Sequence, residues 1–319
     1  MKEGSTLRTG ENSLGIDNLG MDTDMQYFKK YEKYLREAPG NYIRKEIALS
    51  PDIAGIRYFG DPLFGVGDAE DPLFARMKAS DAANLPGLRL PGEWLPGAKS
   101  VISIFFPFSA EVRQSNQPDA EEVGAPFLHA RIEGHEMIFD LCRKIAGDLE
   151  ESGERALVPS LDKRFWAVET PGTNRAAPSA RFAFTSAWSE RHAAYVCGLG
   201  TFGLSKGLIT EKGICGRFGS VITTAEFPVT ERKYRGLYEY CTGCGACIRN
   251  CPVDAISFCD GKKHPECKVY VDASRVKYAP RYGCAKCQVG VPCMDRRPVR
   301  EDVIPDGDSV DEQKKNECS

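Results

Sequence analysis

Cys241-Thr-Gly-Cys244-Gly-Ala-Cys247-Ile-Arg-Asn-Cys251-Pro252 places four cysteines in eleven residues and closes them with a proline. The spacing is C-x2-C-x2-C-x3-C-P. Three thiolates at the first three positions wrap one face of a cubane cluster, and the fourth, held before the proline, points away towards a second cluster. A tetrahedral zinc knuckle is built instead from separated cysteine pairs, so the contiguous run favours iron–sulfur over zinc. The stretch predicts a ferredoxin-type domain holding two [4Fe-4S] clusters.

The remaining ligands must come from downstream, where Cys259, Cys267, Cys284, Cys287, Cys293 and Cys318 lie. Cys284-x2-Cys287 begins a second motif, but Val291 stands where its outgoing cysteine would fall. Cys293 follows two residues later, after Pro292. The count assigns Cys241, Cys244, Cys247 and Cys293 to one cluster. Cys251, Cys284 and Cys287 go to the other, completed by Cys267 or Cys259.

The chain has 319 residues, 42% of them hydrophobic, enough for a sizeable core with an appended module. A formal charge of -3 and a pI near 5.9 make nucleic acid unlikely and argue against an anionic membrane as main partner. Thirteen cysteines, eight of them absorbed by cluster spacing, point to a reducing, cytoplasmic setting rather than a disulfide framework. Met1 to Asp24 is polar and glycine-rich, without an apolar core, twin arginine or small-residue cleavage site. No run is long enough to span a bilayer, so neither export nor a membrane is expected.

The chain divides into four regions. Residues 1–21 are expected to be disordered, 22–228 form an α/β core, 229–299 the two-cluster domain, and 300–319 an acidic tail in which Cys318 is a free thiol. Asp22 or Thr23 caps a helix through Tyr27, Tyr31 and Leu35 that ends at Ala38-Pro39-Gly40. From 41 to 96 turn signals are dense, and Asp-Pro-Leu-Phe occurs at 61 and again at 71. Residues 100–108 read as a buried strand, 127–151 as an amphipathic helix, and 156–159 as another strand. Strand, long helix, strand predicts a right-handed crossover. Residues 160–181 are irregular and carry Lys163, Arg164, Arg175 and Arg181 beside Phe165 and Trp166, with Phe182 next in the chain, which suits either a large amide- and phosphate-bearing ligand or a solvated loop. Ser186 to Cys197 reads as a helix, and 208–210 and 219–224 as strands.

Gly198, Gly200 and Gly203 spell G-x-G-x-x-G, but the dinucleotide fingerprint needs a strand before it, a helix after it and an acidic residue about twenty positions on. Here a helix precedes, a strand follows, and the later position reads Ser220-Val-Ile. The glycines therefore mark either a sterically required turn or close approach to a flat cofactor.

Ala187-Trp-Ser-Glu-Arg-His-Ala-Ala-Tyr-Val-Cys-Gly-Leu-Gly-Thr-Phe-Gly203, the following Gly-Leu-Ile-Thr, the strand Gly-Ser-Val-Ile-Thr and the two-cluster C-terminus together resemble epoxyqueuosine reductases and the related reductive dehalogenases, over about Ser100 to Pro298. The resemblance implies a nitroreductase-like core holding base-off cobalamin, with two [4Fe-4S] clusters delivering electrons to cobalt. It implies Cys267 rather than Cys259 as the lone ligand between the motifs. It also implies that Glu190, Gly198, Leu199, Gly200, Gly203, Ser205 and Gly207 line the corrinoid. The sequence departs from the pattern at Phe184, where epoxyqueuosine reductases carry an aspartate, and at Leu204-Ser205, where they carry Lys-Asn. The helical repeats that help dock transfer RNA do not follow Cys293, and the twin-arginine leader of exported dehalogenases is absent. No Asp-x-His-x-x-Gly run offers a histidine to cobalt.

For catalysis the proton donor is sought in Tyr195 and His192, three apart on the helix that enters the glycine loop; packed structural roles are the alternative. Cys197 and Cys215 are expected to be small buried hydrophobes, and His129 and His135 structural. The expected partners are a low-potential donor of ferredoxin or flavodoxin type and a small-molecule substrate. Two other readings remain: an electron carrier without chemistry of its own, which leaves the core unexplained, and a core that binds flavin in place of corrinoid.

Overall fold

The computed structural model describes residues 22–79, 87–118, 121–168 and 185–299, the side chains of 22–25 and 168 excepted. Residues 1–21, Arg175, Arg181, Phe182, Phe184 and the tail with Cys318 lie outside these residues.

Helix α1 (Asp22–Glu37) leads to strand β1 (Leu63–Asp68), helices α2 (Pro72–Ala79) and α3 (Pro91–Trp94), and strand β2 (Ser100–Pro107). Helices α4 (Ala110–Ser115) and α5 (Ala125–Glu151) and strand β3 (Ala156–Leu157) come next. Strands β4 (Ala167–Val168) and β5 (Thr185–Ser186), helix α6 (Glu190–Val196), and strands β6 (Gly200–Phe202), β7 (Leu208–Thr210) and β8 (Gly216–Thr223) complete the core.

The central sheet has the order β1-β2-β8-β3, each neighbouring pair antiparallel. Every residue of β2 is buried. Ile102, Ile104 and Phe106 pack into one apolar cluster with α1 and α5, while Val101 and Phe105 pack into a second with α6 and α2. A strand covered on both faces has no solvent side, which is why 100–108 reads as a continuous apolar run rather than an alternating one. The predicted crossover is corrected in one respect. β2 and β3 run in the same direction, but β8 lies between them and pairs with both.

Two further expectations are revised. The turn-dense stretch 41–96 contains β1 and α2. Its two Asp-Pro-Leu-Phe copies adopt different structures, the first opening β1 and the second opening α2. At the second, Asp71 Oδ1 accepts from Leu73 N at 2.9 Å and Pro72 occupies the first turn, where no backbone donor is needed. The helix expected from Ser186 starts only at Glu190, because Thr185 and Ser186 pair with β4.

Gly65 and Gly67 let the end of α6 lie directly on β1. A Cβ on Gly65 would stand 2.3 Å from the Cys197 carbonyl oxygen, and one on Gly67 would stand 3.0 Å from Cys197 Sγ. That contact fixes where the glycine loop begins.

The cysteine-rich segment adds helix α7 (Ala246–Arg249), a two-stranded pair β9 (Ile256–Ser257) and β10 (Gly261–Lys262), and helix α8 (His264–Lys277). It packs on the core through Tyr234, Tyr240, Ala246 and Val291, which belong to the α6 cluster. Buried Arg281 reaches back to α5, with Nη2 2.5 Å from Glu133 Oε1. No helix among the described residues is long and apolar enough to cross a membrane.

Candidate functional site

In the C-x2-C-x2-C run the backbone turns left-handed at Gly243 and at Gly245, each with φ 70°. Side chains disfavour that region, so the glycines between the thiols are a backbone requirement. Cys241, Cys244 and Cys247 thereby face one cavity. The fourth thiol arrives from far along the chain. Ile214 N donates to the Cys293 carbonyl at 2.8 Å, and Cys215 N to that of Met294 at 3.1 Å. Two bonds from the residues just before β8 thus hold Cys293 opposite the run. They explain its displacement from the repeat: the segment is aligned to the core and not to the motif. Gly203, Ser205, Ile209 and Ile214 supply other walls of this cavity.

Cys251, Cys267, Cys284 and Cys287 line a second cavity, with Arg131, Arg191 and Lys262 around them. Cys267 sits in the first turns of α8, and Ala255 N donates to Cys251 Sγ at 3.2 Å. Cys259 lines neither cavity. Burial, reinforced by neighbouring thiols, pushes Cys247 up to about 12 and Cys284 up to about 11; Cys293 rises for the same reasons. Thiols so placed hold their protons unless a cation compensates the thiolates, and an iron–sulfur core does so. Among the described residues no three His, Cys, Asp or Glu side chains converge closely enough to hold a single metal ion.

The glycine loop is a tight turn into the β6–β7 hairpin. Gly198 has φ 81°, and a Cβ there would meet Thr230 at 3.0 Å. A Cβ on Gly200 would lie 1.9 Å from the Ile209 carbonyl oxygen, and one on Gly207 2.6 Å from Ile214 Cδ1. Leu199 is buried against Gly65. Gly203 and Ser205 instead reach the first cysteine cavity. The helix-before, strand-after context that argued against a dinucleotide site is present as α6 and β6.

Glu190 turns inward from the start of α6. Its Oε1 accepts from Ser160 Oγ at 2.6 Å, its buried Oε2 has no hydrogen-bond partner, and burial raises its pKa. His192 Nδ1 lies 2.7 Å from Ser189 Oγ, and burial together with Arg191 lowers its pKa to about 4. The ring is uncharged at neutral pH. Tyr195 is buried between the rings of Tyr234, at 5.1 Å, and Phe202, at 6.2 Å, and burial raises its phenol. Both side chains are thus neutral at pH 7. Cys197 and Cys215 are buried thiols raised by burial. His129 is buried and accepts from Leu49 N at 3.3 Å. Arg164 is held by Asp162 at 2.8 Å and by the Trp94 carbonyl, so it serves the loop's own structure.

Sequence reasoning missed a set of cations gathered from distant positions. Arg131 on α5 and Arg191 on α6 line the cavity around Cys287, and burial, followed by the charges of these two arginines, pushes Arg217 on β8 down to about 9. Arg217 Nη2 lies 3.4 Å from His135 Nδ1, giving that histidine a contact beyond packing. Lys206, at φ 59°, accepts from Arg191 Nη1 through its carbonyl at 3.4 Å. Lys262 stands against Cys267. No local pattern marks these residues.

Residues 237–257 match the family model described as 4Fe-4S binding domain. No curated protein matches the chain. Among solved structures, the catabolic reductive dehalogenase NpRdhA shares 17% identity with a TM-score of 0.48 over 75% of this chain and 31% of that one. An epoxyqueuosine reductase from Streptococcus thermophilus shares 18% with a TM-score of 0.43 over 76% and 65%. An epoxyqueuosine reductase with a tRNA-Tyr epoxyqueuosine-modified stem loop shares 17% with a TM-score of 0.43 over 88% and 71%. The chain spans about a third of the length of the dehalogenase chains it resembles. It joins a mixed helix-and-sheet core to a 4Fe-4S binding domain.

Proposed function

We propose that the chain is a cytoplasmic, cobalamin-dependent iron–sulfur reductase. In this reading Cys241, Cys244, Cys247 and Cys293 hold one [4Fe-4S] cluster, and Cys251, Cys267, Cys284 and Cys287 hold the other. The observation that carries it is the sorting of eight cysteines into two groups of four, each around its own cavity. Cys247 and Cys251 are four residues apart on one short segment, and Cys287 is among the charges felt by Cys247. The two groups are thus close enough for electrons to pass between them.

The corrinoid reading draws on the likeness of residues 187–203 to corrinoid reductases and on the chemistry of the cleft beside α6. Arg131 lines the cavity around Cys287, and its Nε is buried without an acceptor, a donor left for a ligand. The peripheral amides of a corrinoid match it, and its phosphodiester tail matches the arginines. When bound, such a group supplies a low-potential cobalt centre for reductive bond cleavage. In this reading the start of α6, at Arg191, forms part of its wall. Tyr195 holds the proton to be delivered to the substrate, and His192, neutral and hydrogen-bonded, fixes the helix face beside it. The substrate is a small organic molecule or a modified nucleoside, and a ferredoxin- or flavodoxin-type protein delivers the electrons.

Anaerobic titration of the iron-loaded protein with hydroxocobalamin, followed optically and by cobalt analysis after desalting, tests this. Stoichiometric retained cobalt with a base-off spectrum is expected. Full iron content without retained cobalt would overturn the reductase reading and leave an electron carrier.

A further inference from the structure

We propose that the cleft between α5, α6, β8 and the cysteine-rich segment is an anion-recognition site, built by Arg131, Arg191, Arg217 and Lys206 for a phosphate or carboxylate group. Among the described residues none of these four side chains, nor that of Lys262, forms an ion pair with a carboxylate. The one carboxylate lining the cavity around Cys287 is Asp272, already paired with Lys268 and Arg275. Among the described residues, no carboxylate therefore neutralises these three guanidinium groups. Arg131 is braced over the Tyr282 ring at 4.5 Å, and its Nε is buried without an acceptor. Arg191 keeps a solvent-exposed surface although protein surrounds it on most sides, as befits the wall of a deep open cleft.

The negative charge of the second cluster accounts for only part of this. Lys262 touches Cys267, and Arg191 feels Cys287, so those two answer the thiolates. Arg217 does not: it is not among the residues lining the thiol cavity, and its Nη2 lies 3.4 Å from His135 Nδ1. Like charges gathered in a cleft are stable when an anion sits among them, and the guanidinium fork binds phosphate or carboxylate through paired hydrogen bonds. The inference deepens the reductase reading by making the ligand anionic: either the substrate carries the charged group, or the corrinoid's own phosphodiester fills the site. The cations stand whichever source is right.

The test is isothermal titration of inorganic phosphate into the anaerobic, iron-loaded full chain at constant ionic strength set with chloride. Saturable binding is expected, weakened about tenfold or more in Arg191→Gln and in Arg217→Gln, partly restored in Arg217→Lys, and unchanged in Arg143→Gln on the outer side of α5. Iron content and circular dichroism of each variant establish folding. Should Arg217→Gln not fold, phosphate protection of Arg131, Arg191 and Arg217 against phenylglyoxal in the wild type gives the same reading by mass spectrometry. No saturable binding, or equal affinity in the Arg191→Gln/Arg217→Gln double variant, overturns the proposal. Competition separates the sources. Phosphate that displaces cobalamin but not cobinamide, which lacks the phosphodiester tail, assigns the site to the corrinoid; phosphate that displaces neither assigns it to the substrate. Phosphate binding without binding of either corrinoid supports the anion site and refutes the reductase reading.

Discussion

Replacing Gly200 by alanine tests whether the glycine loop is tight for its own sake. The new Cβ would stand 1.9 Å from the Ile209 carbonyl oxygen, 2.8 Å from its carbon and 3.0 Å from Thr210 Cα. All three are backbone atoms of β7, so no side chain can swing aside. Relief requires the β6–β7 pair to open by about 1 Å, against the register Gly200 with Thr210, Thr201 with Ile209 and Phe202 with Leu208. Gly200 has an ordinary negative-φ backbone, unlike Gly198, so the effect is steric. Overpacking costs about 1–3 kcal/mol, and an immobile backbone puts this case near about 3. At about 2 °C per kcal/mol for a chain of this size, the apparent midpoint falls by about 6 °C. The same hairpin presents Gly203, Ser205 and Ile209 to the first cysteine cavity, so iron retention falls with it. The assay is anaerobic thermal unfolding at one fixed scan rate with iron analysis on the same samples. A midpoint within about 1 °C of wild type, with full iron, would refute the steric reading.

Gly147, one turn before the C-terminal end of α5 with open space where a Cβ would go, gives the opposite sign: Gly147→Ala raises stability by about 0.5–1 kcal/mol, read in the same assay. Asn41 is wholly buried and joins α1 to the approach to β1, donating to the Leu35 carbonyl at 3.0 Å and the Phe59 carbonyl at 3.2 Å and accepting from Phe59 N at 3.0 Å. Asn41→Ala strands those groups and costs about 2–4 kcal/mol by urea unfolding, whereas a loss under about 1 kcal/mol would show that water takes over the bonds. The pH dependence comes from the histidines. Burial holds His192 and His264 at about 4 in the folded protein, below the unfolded value near 6.5. The unfolded chain therefore binds more protons between these limits, and stability is lost as pH falls from about 6.5 to about 4. His192→Asn flattens that slope; an unchanged slope in the variant would show that His192 takes up its proton without cost.

The convergence of Cys241, Cys244 and Cys247 on one cavity was legible because its signal is local: three thiols and two glycines in seven residues state a turn and a donor set together. Cys293 was recoverable by counting, although the reason for its offset, two backbone bonds to Ile214 and Cys215, is tertiary. β2 and α5 were legible because burial writes itself into periodicity. β1 was not, since Gly65 and Gly67 have no side chains to alternate and their purpose is to admit α6. The identical Asp-Pro-Leu-Phe copies diverge because their C-terminal neighbours differ: Gly-Val-Gly-Asp continues one as a strand, and Ala-Arg-Met-Lys continues the other as a helix. The cationic cleft could not be read at all, since its arginines stand at 131, 191 and 217 and meet only when β8 inserts beside β2.

Iron stoichiometry in the cysteine variants tests the central assignment most directly. Anaerobically purified wild type should hold about eight irons per chain, with Mössbauer and reduced-state EPR spectra of [4Fe-4S] clusters. Cys293→Ala and Cys287→Ala should each lose about four of them and leave the other cluster's signal in place, while Cys215→Ala keeps all. Wild type with about four irons, or a Cys293→Ala variant that retains the full complement and both signals, would contradict the account.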